Sequence, residues 1–298
     1  MKDFFAKICR KSRFIFLFKT TENILRFTLN KYPKNLYLSL LVPPHYCYKE
    51  DQIRYFNRDG IKMKLNLKHY NDHLTYWFSK KDKLLNNIVK LIKVNDVVFD
   101  VGVNIGYYLF NFSQKATQGC VYGFEPNPKV FKYVKHNLEL NSFKNIVLTN
   151  LGLGNEKGVY KMAQINSNLG MNKIVESNSA LKTFDISVDT LDNFVFENNI
   201  SKIDVIKIDV EGFEFNVLMG AIESLIKFKP ILFIEIDNQN LIKNNSSYFK
   251  LKNWLNLHEY CIYDASDFKE LEEGFFNEHF DILSIPKDKV ESYSSFLN

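Results

Sequence analysis

The feature that most constrains the fold is a series of short apolar runs, separated mostly by amphipathic stretches, which begins near residue 82. Runs of this kind, rich in β-branched residues, are typical of strands that are buried on both faces. Their alternation with helical stretches predicts a doubly wound parallel sheet with right-handed connections. The seven predicted strands are VVFDV (97–101), CVYGFE (120–125), NIVLTNLGL (145–153), DVIKIDV (204–210), ILFIEI (231–236), EYCIYD (259–264) and FDILSIP (280–286).

The two ends of the chain depart from this alternation. The last two apolar runs are joined by a polar stretch without a long helix, which predicts an antiparallel final pair. Prolines interrupt residues 1–80, and Gly60 lies between RYFNRD and IKMKLNL, as in a hairpin turn. The sequence therefore predicts an N-terminal α/β cap of helices and a hairpin over residues 1–80, and one α/β domain over residues 81–298.

Composition and cysteine placement exclude several classes of protein. Hydrophobic residues make up 46% of the chain and charged residues 24%, a balance typical of globular rather than disordered proteins. The four cysteines are far apart and form no C-x-x-C pair. Neither a zinc site nor a disulfide framework is predicted, and we expect a reducing, cytoplasmic environment. Beyond the N-terminus no basic stripe with interleaved aromatic residues occurs, so we expect no nucleic-acid partner.

Residues 2–19 are basic and aromatic. They contain six lysine and arginine residues against one acid, Asp3, together with the apolar run FIFLF at 14–18. This run is too short to span a bilayer, which needs about 20 apolar residues, and no small-residue cleavage site of a signal peptide follows it. Two interpretations are open: a basic amphipathic helix that packs on the main domain, or a peripheral contact with the anionic inner face of the membrane.

The stretch DVGVNIGYY, residues 100–108, lies between the first predicted strand and the helix that follows it. In open α/β sheets, ligands bind beyond the carboxyl ends of the strands, and glycines such as Gly102 and Gly106 let the backbone approach a ligand closely. Glu125 ends the second strand, 19 residues after Gly106, where a carboxylate can accept hydrogen bonds from both hydroxyls of a ribose. Turn and acid together indicate an adenosine-containing ligand.

The spacing of this turn distinguishes between two such ligands. A dinucleotide site has the fingerprint G-x-G-x-x-G, in which a helix N-terminus binds the pyrophosphate. Here the turn reads G-x-N-x-G, and Tyr107 and Tyr108 follow it. Asp100 precedes it, where a negative charge would repel a pyrophosphate and attract the sulfonium and amino groups of S-adenosylmethionine. The predicted cofactor is S-adenosylmethionine, and a nicotinamide dinucleotide is the alternative.

Eight residues are predicted to surround this cofactor. The adenine is expected at the end of the third strand, beside Asn150 and Leu151, because the fold places that strand end next to the turn. Tyr107 is expected either to line the pocket or to serve only in packing. The full set is Asp100, Gly102, Asn104, Gly106, Tyr107, Glu125, Asn150 and Leu151.

A second polar cluster, KIDVEGFE at 207–214, ends the fourth predicted strand. Lys207, Asp209 and Glu211 alternate, so within a strand they would project on one side. Three ionisable groups at the end of an apolar strand would be costly to bury unpaired. A purely structural alternative is open, in which Lys207 and Asp209 neutralise each other and Glu211 caps the following helix.

These stretches together resemble the FkbM family of S-adenosylmethionine-dependent methyltransferases, over roughly residues 90 to 288. The resemblance implies a seven-stranded Rossmann-like methyltransferase sheet and the transfer of a methyl group to a hydroxyl, commonly on a sugar or a polyketide-like product. DVEGFE, following the glycine turn, is its most specific part. The matching stretches are VVFDVGVNIGYY (97–108), FEPNP (124–128), NLGLGNEKG (150–158), VDTLDNF (188–194), IDVIKIDVEGFEFNVLMGA (203–221), KPILFIEI (229–236) and FDILSIPK (280–287).

Methyl transfer from a sulfonium to an oxygen requires alignment of the two groups and a base that accepts the hydroxyl proton. The candidate bases are Asp209, Glu211 and Glu235, the last at the end of the fifth predicted strand. Lys207 is expected to stabilise a developing alkoxide. In the alternative, Asp209 and Glu235, together with Glu211 and Asp237, hold a magnesium ion that lowers the pKa of the acceptor hydroxyl.

The sequence thus predicts an S-adenosylmethionine-dependent O-methyltransferase that acts on a sugar hydroxyl. The Asn-, Lys- and Phe-rich composition is typical of AT-rich bacterial genomes. Enzymes of this kind there often act in polysaccharide biosynthesis, so the expected acceptor is a bacterial surface glycan or glycoside. Two other functions are open: a nicotinamide-dependent oxidoreductase on a similar sheet, and a non-catalytic module that associates with the membrane through its basic N-terminus.

Overall fold

The computed structural model describes residues 2–32, 34–79, 82–163, 173–175, 181–272 and 274–297. The chain divides into two compact units, Met1–Asp82 and Lys83–Asn298. No helix in the described ranges is both long enough and apolar enough to cross a membrane.

The N-terminal unit combines helices with a β-hairpin. Its hairpin turn is Asp59-Gly60, and both residues have positive φ angles, 52° and 83°, as a two-residue turn between twisted strands requires. The turn lies where the sequence predicts it. The elements are α1 (Lys2–Ser12), a 3-10 helix (Arg13–Leu17), α2 (Lys19–Lys31), α3 (Leu36–Leu41), a short 3-10 helix (His45–Cys47), β1 (Ile53–Arg58), β2 (Ile61–Asn66) and α4 (Tyr70–Phe78).

A buried ion pair holds the N-terminal unit together. Glu22 of α2 is inaccessible to solvent, and its Oε2 lies 2.7 Å from Nη2 of Arg54 in β1. Tyr76 of α4 donates a hydrogen bond of 2.6 Å to Oε1 of the same carboxylate. Because a buried carboxylate without partners would be strongly destabilising, these contacts fix α2 against the hairpin and α4.

The C-terminal unit begins with α5 (Lys83–Leu91), and its first half alternates strands and helices. These are β3 (Val97–Val101), α6 (Tyr107–Lys115), β4 (Cys120–Phe124), α7 (Pro128–Glu139), β5 (Ile146–Thr149), β6 (Gly152–Leu153), β7 (Gly158–Ala163), β8 (Lys173–Val175), β9 (Thr183–Asp189) and α8 (Leu191–Glu197). The second half contains β10 (Val205–Ile208), α9 (Glu214–Met219), α10 (Ile222–Phe228), β11 (Ile231–Asp237), α11 (Asn238–Lys243), α12 (Tyr248–Leu257), β12 (Tyr260–Asp264), β13 (His279–Pro286) and a 3-10 helix (Lys287–Tyr293).

Seven strands form the main sheet, in the order β12-β13-β11-β10-β3-β4-β5. The strands from β11 to β5 are parallel, whereas β13 runs antiparallel to both β11 and β12. The prediction of a seven-stranded, mostly parallel sheet with an antiparallel last strand is therefore confirmed. Strand order reverses at β3, which lies between β4 and β10, and such a reversal opens a crevice at the carboxyl ends of the strands.

One predicted strand is divided in the structure. The run 145–153 forms β5 and, after a break at Asn150, β6. At the break, Nδ2 of Asn150 donates to the carbonyl oxygens of Glu125 and Pro126, at 2.8 and 3.0 Å, and so ties this segment to the end of β4. β6 then joins a second sheet, in the order β6-β9-β7-β8. The sequence does not reveal this sheet, because β7 and β9 mix exposed with buried side chains and lack a continuous apolar run.

An aromatic layer packs beneath the carboxyl ends of the central strands. Phe99 of β3 and Phe124 of β4 are both inaccessible to solvent, and their rings meet edge to face with centroids 5.6 Å apart. Phe194 of α8 packs against Phe124 in the same manner, at 4.8 Å. Edge-to-face contacts of this kind fix the position of the two strand ends on which the site is built.

Candidate active site

The turn after β3 is built around Gly102. The backbone N–H groups of Gly102 and Val103 both donate to the carbonyl oxygen of Phe124, at 3.0 and 3.1 Å, which anchors the turn to the end of β4. Gly102 has a φ of 86°, and a Cβ at this position would lie 1.8 Å from the carbonyl oxygen of Asp209. Close packing between the ends of β3 and β10 therefore requires glycine here, whether or not a ligand is bound.

Gly102→Ala should lower the free energy of unfolding by about 2 kcal/mol, because the left-handed conformation alone costs an L-residue about 1–2 kcal/mol. The added methyl group would also meet the Asp209 carbonyl. Gly274→Ala is the matched control, since no heavy atom lies within 4 Å of the position that its Cβ would take. Urea denaturation compares the two variants, and equal stabilities would contradict the packing described for Gly102.

Glu125 follows β4 and faces the glycine turn. Its Oε2 accepts a hydrogen bond of 3.0 Å from the backbone N–H of Asn104, and its Oε1 accepts one of 2.9 Å from that of Asn127. Only 7% of the residue is exposed. Burial raises the pKa of Glu125 to about 7, although the two N–H donors oppose this shift. The carboxyl group is thus held rigidly beside the turn and changes its charge near neutral pH.

A cleft opens beyond the carboxyl ends of β3, β4 and β10, and the second sheet borders it. Of the eight residues predicted to surround a cofactor, four line this cleft: Gly102, Asn104, Glu125 and Leu151. The other four lie outside its lining: Asp100, Gly106, Tyr107 and Asn150. The sequence missed the apolar side of the cleft, which consists mainly of Phe124, Leu153, Met162, Ile174, Val210 and Phe213. Three of these, Leu153, Met162 and Ile174, belong to the second sheet.

The four residues outside the lining have structural contacts. Gly106 precedes α6 with a φ of 89°, and Tyr107 is buried in the first turn of that helix. Asn150 bonds to the end of β4, as described above. Asp100 is inaccessible to solvent and lies beside Lys207 of β10. Contact of these residues with a cofactor stays a prediction.

Lys207 lies between two carboxylates. Its Nζ is 3.4 Å from Oδ1 of Asp100 and 3.0 Å from Oδ2 of Asp209, and it donates to the carbonyl oxygen of Gly102 at 3.2 Å. Burial lowers the pKa of Lys207, but the two carboxylates outweigh burial and hold that pKa above its ordinary value. Burial raises the pKa of Asp100 to about 6, although Lys207 opposes the shift. In this geometry Asp100 is a counter-ion of Lys207.

Asp209 and Glu235 form a hydrogen-bonded carboxyl pair at the ends of β10 and β11. Two ionised carboxylates in contact would repel each other, so one proton stays between them. Burial and the negative charge of Asp209 hold the pKa of Glu235 well above its ordinary value, and Glu235 keeps the proton. Burial also raises the pKa of Asp209, but Lys207 and the hydrogen bond from Glu235 outweigh it and lower that pKa. The side chain of Asp209 is 39% exposed and lines the cleft.

His279 lies beside this carboxyl pair, a contact that the sequence did not indicate. Its Nε2 lies 3.7 Å from Oε1 of Glu235. This contact arises because β13 pairs antiparallel with β11, which places His279 opposite Asp237. The only local signal is that His279 directly precedes the last predicted strand, and that signal says nothing about the partner strand.

The loop after β10 is fixed by Glu214 rather than by Glu211. Glu214 is buried, and its Oε1 accepts hydrogen bonds from the backbone N–H groups of Val210 and Gly212, at 3.1 and 3.0 Å. Burial raises the pKa of Glu214 to about 7, against the effect of these donors. The N-cap residue of α9 is Phe213, two positions after Glu211, so the alternative in which Glu211 is the cap is wrong. Glu211 instead lines the cleft, with a φ of 56°.

A magnesium site has no support in this geometry. Within the described ranges, no group of three or more histidine, cysteine, aspartate or glutamate side chains is arranged to hold a metal ion. Glu235 would have to lose its proton before it could join Asp209 as a ligand, because a protonated carboxyl donates a hydrogen bond to its partner instead.

Comparison with known proteins finds relatives that are named as methyltransferases. The chain is 34% identical over 134 residues to the hexuronic acid methyltransferase AglP of Haloferax volcanii, an alignment that covers 44% of this chain and 52% of that protein. It is 28% identical over 173 residues to the 2-O-methyltransferase NoeI of Sinorhizobium fredii, over 53% of this chain and 71% of that protein. This chain therefore spans only about half the length of the Haloferax protein.

Among solved structures, methyltransferase FkbM from Methylobacillus flagellatus KT matches 65% of this chain and 44% of its own, at 18% identity and a TM-score of 0.45. The family model for the methyltransferase FkbM domain matches residues 100–278, more than half of the chain. That range includes the glycine turn, Glu125 and both carboxyls of the Asp209–Glu235 pair. The match confirms the resemblance inferred from the sequence: the chain belongs to the methyltransferase FkbM domain family.

Proposed function

We propose that the protein is an S-adenosylmethionine-dependent O-methyltransferase that acts on a sugar hydroxyl of a bacterial surface glycan or glycoside. The observation that carries this proposal is that one cleft joins Glu125, a candidate for ribose binding, to the exposed carboxylate of Asp209. The cofactor and a base for the acceptor hydroxyl would therefore lie side by side. Relatives named as a hexuronic acid methyltransferase and a 2-O-methyltransferase support a sugar as the acceptor.

The residues of the cleft fit S-adenosylmethionine. Oδ1 of Asn104 is buried and has no hydrogen-bond partner within the described part of the chain, so it can accept from an N–H group of a ligand. The Glu125 carboxylate would hold the ribose hydroxyls. Leu151, Met162 and Phe213 provide apolar contacts for an adenine ring. When bound, this cofactor supplies a methyl group on a positively charged sulfur, a charge that the acidic cleft favours.

We assign the acceptance of the hydroxyl proton to Asp209. The acceptor oxygen would bond to the methyl carbon as the carbon–sulfur bond breaks and its electron pair returns to the sulfur, and the hydroxyl proton would pass to the Asp209 carboxylate. Glu235 donates a hydrogen bond to Asp209, and Lys207 pairs with its Oδ2, so the carboxylate is oriented from two sides. We also propose that Lys207 positions Asp209 rather than stabilising an alkoxide, because its Nζ already contacts Asp100, Asp209 and the Gly102 carbonyl.

Transfer of labelled methyl groups from S-adenosylmethionine to hexuronic acid glycosides and to fractionated surface glycans tests the proposed function. Label in an alkali-stable ether of the saccharide is the expected result. Binding of NADH without binding of S-adenosylhomocysteine would select the oxidoreductase instead. Binding of S-adenosylmethionine without transfer to any saccharide would favour the non-catalytic module. A parallel reaction with EDTA should proceed at the same rate. Loss of methyl transfer in the presence of EDTA would restore the magnesium alternative.

The affinity for S-adenosylmethionine should rise about tenfold between about pH 6 and about pH 8. The pKa of Glu125 is raised to about 7, so the carboxyl is protonated below this pH, and only its ionised form accepts from both ribose hydroxyls. Calorimetric titration across this range measures the effect. Glu125→Gln should bind more weakly at every pH and show no such rise. An equal rise in both proteins would assign the titration to another group.

A further inference from the structure

The N-terminal helices carry an apolar surface that the proposed function does not use. We call it the N-terminal surface, the described residues 6–32 and 34–37 of α1 to α3 and the turns between them. Nine large hydrophobic side chains in this part of the described chain are exposed: Ile8, Phe14, Ile15, Phe18, Ile24, Phe27, Tyr32, Leu36 and Tyr37. Single exposed hydrophobic residues are common on proteins, but such a concentration within one segment marks an interaction surface.

The helix α2 shows that this exposure is a property of one face. Its buried residues, Glu22, Leu25 and Leu29, point toward the interior of the N-terminal unit. Ile24 and Phe27 are three residues apart and therefore share a face on the opposite side, where they are 66% and 72% exposed. A surface helix normally presents polar residues opposite its buried face. α2 instead exposes two large apolar side chains there, beside the exposed Lys31.

The same segment carries the positive charge of the protein. Residues 1–37 contain nine lysine and arginine residues and two acids, a net charge of +7, whereas the whole chain carries +5. The remaining residues therefore carry a net charge of −2. One of the two acids, Glu22, is buried against Arg54 and Tyr76 and does not offset the surface charge. Exposed cationic residues of the segment are Lys7, Arg10, Lys11, Lys19, Lys31 and Lys34.

We propose that the N-terminal surface binds the anionic face of a lipid bilayer, with its apolar side chains inserted at the level of the headgroups. Exposed aromatic and aliphatic residues flanked by lysine and arginine are the combination by which interfacial helices bind anionic lipids. The binding that we propose is peripheral, because the apolar run at 14–18 is too short to span a bilayer. A second copy of the chain is a poor occupant, because a symmetric contact would bring two clusters of like charge together.

Flotation of the full chain with phospholipid vesicles tests this proposal. We expect flotation with vesicles that contain phosphatidylglycerol, none with phosphatidylcholine alone, and a decrease as salt is raised, because salt screens the attraction. Two double variants should each reduce binding about tenfold or more. Ile24→Ser with Phe27→Ser removes apolar side chains at constant charge, and Lys31→Glu with Lys34→Glu reverses charge. All four positions are exposed, so both variants should fold with wild-type thermal stability.

Matched controls lie in the C-terminal unit. Phe196→Ser with Leu257→Ser removes two side chains that are each 81% exposed, and Lys132→Glu with Lys135→Glu reverses two exposed lysines of α7. Both should float like the wild type. Absence of flotation with phosphatidylglycerol, equal flotation with phosphatidylcholine, or equal binding by all variants would overturn the proposal. The wild type could also self-associate without binding vesicles. If the variant Ile24→Ser with Phe27→Ser abolished that self-association, the surface would be assigned to a second copy of the chain.

Discussion

Replacing Asp209 with asparagine should reduce the rate of methyl transfer about 10²–10⁴-fold, the usual range for loss of a positioned base. Asparagine has the same size and can still accept a hydrogen bond from Lys207, but it cannot take the proton of the acceptor hydroxyl. The affinity for S-adenosylmethionine should change little, because Glu125 and the apolar side of the cleft are untouched. Initial rates with labelled cofactor at saturating acceptor, and calorimetry without acceptor, measure the two effects separately.

Glu211→Gln is the matched control for this experiment. Glu211 lines the same cleft, so its substitution removes a negative charge from that surface while the Asp209–Glu235 pair stays intact. Its rate should fall far less than that of Asp209→Asn. A wild-type rate for Asp209→Asn would remove Asp209 from the chemistry, and comparable losses in both variants would leave Glu211 as an equal candidate for the base.

The main sheet could be predicted because its strands are buried on both faces. Every residue of β10, for example, is buried, and the strands of the main sheet consist mostly of apolar residues. The antiparallel last strand followed from the absence of a long helix between β12 and β13. The second sheet left no such signal, because the side chains of β9 are partly exposed. With it the sequence also missed Met162 and Ile174, which form part of the apolar side of the cleft.

The sequence could predict which residues lie at the strand ends that form the candidate site. It could not predict the contacts that depend on how neighbouring strands pair. Glu125 and Asp209 lie on the cleft because they follow parallel strands whose carboxyl ends share one edge. Asp100 stands directly before the glycine turn, and that position suggested contact with a cofactor. Its side chain meets Lys207, because the register of β3 against β10 places the two residues side by side, and its contact with a cofactor stays a prediction. No local pattern in the sequence predicts that register. The contact between His279 and Glu235 also depends on a strand pairing that the sequence does not predict.

Lys207→Met should lower the free energy of unfolding by about 3–5 kcal/mol, the typical loss when a buried ion pair is left with one partner. Methionine is also unbranched and fills a similar volume, but it removes the cation from Asp100, which is inaccessible to solvent. Neither oxygen of that carboxylate has another hydrogen-bond partner within the described chain. Lys157→Met is the matched control. Lys157 lies 2.8 Å from Asp189, but its side chain is 65% exposed, so its loss should destabilise the fold far less than the loss of Lys207.

The pH dependence of the stability of Lys207→Met should show that the unpaired Asp100 carboxylate causes the loss of stability. Burial already raises the pKa of Asp100 to about 6 in the folded chain, and removal of Lys207 should raise it further. Above the ordinary pKa of an aspartate, the folded variant would then hold a proton that the unfolded chain has released. Its stability should therefore fall as pH rises through the folded-state pKa, and recover in acid. Adding Asp100→Asn should restore much of the stability at neutral pH and flatten the dependence, as chemical denaturation across this pH range measures. A double variant no more stable than Lys207→Met would place the cost elsewhere, at Asp209 or in the packing of the methionine.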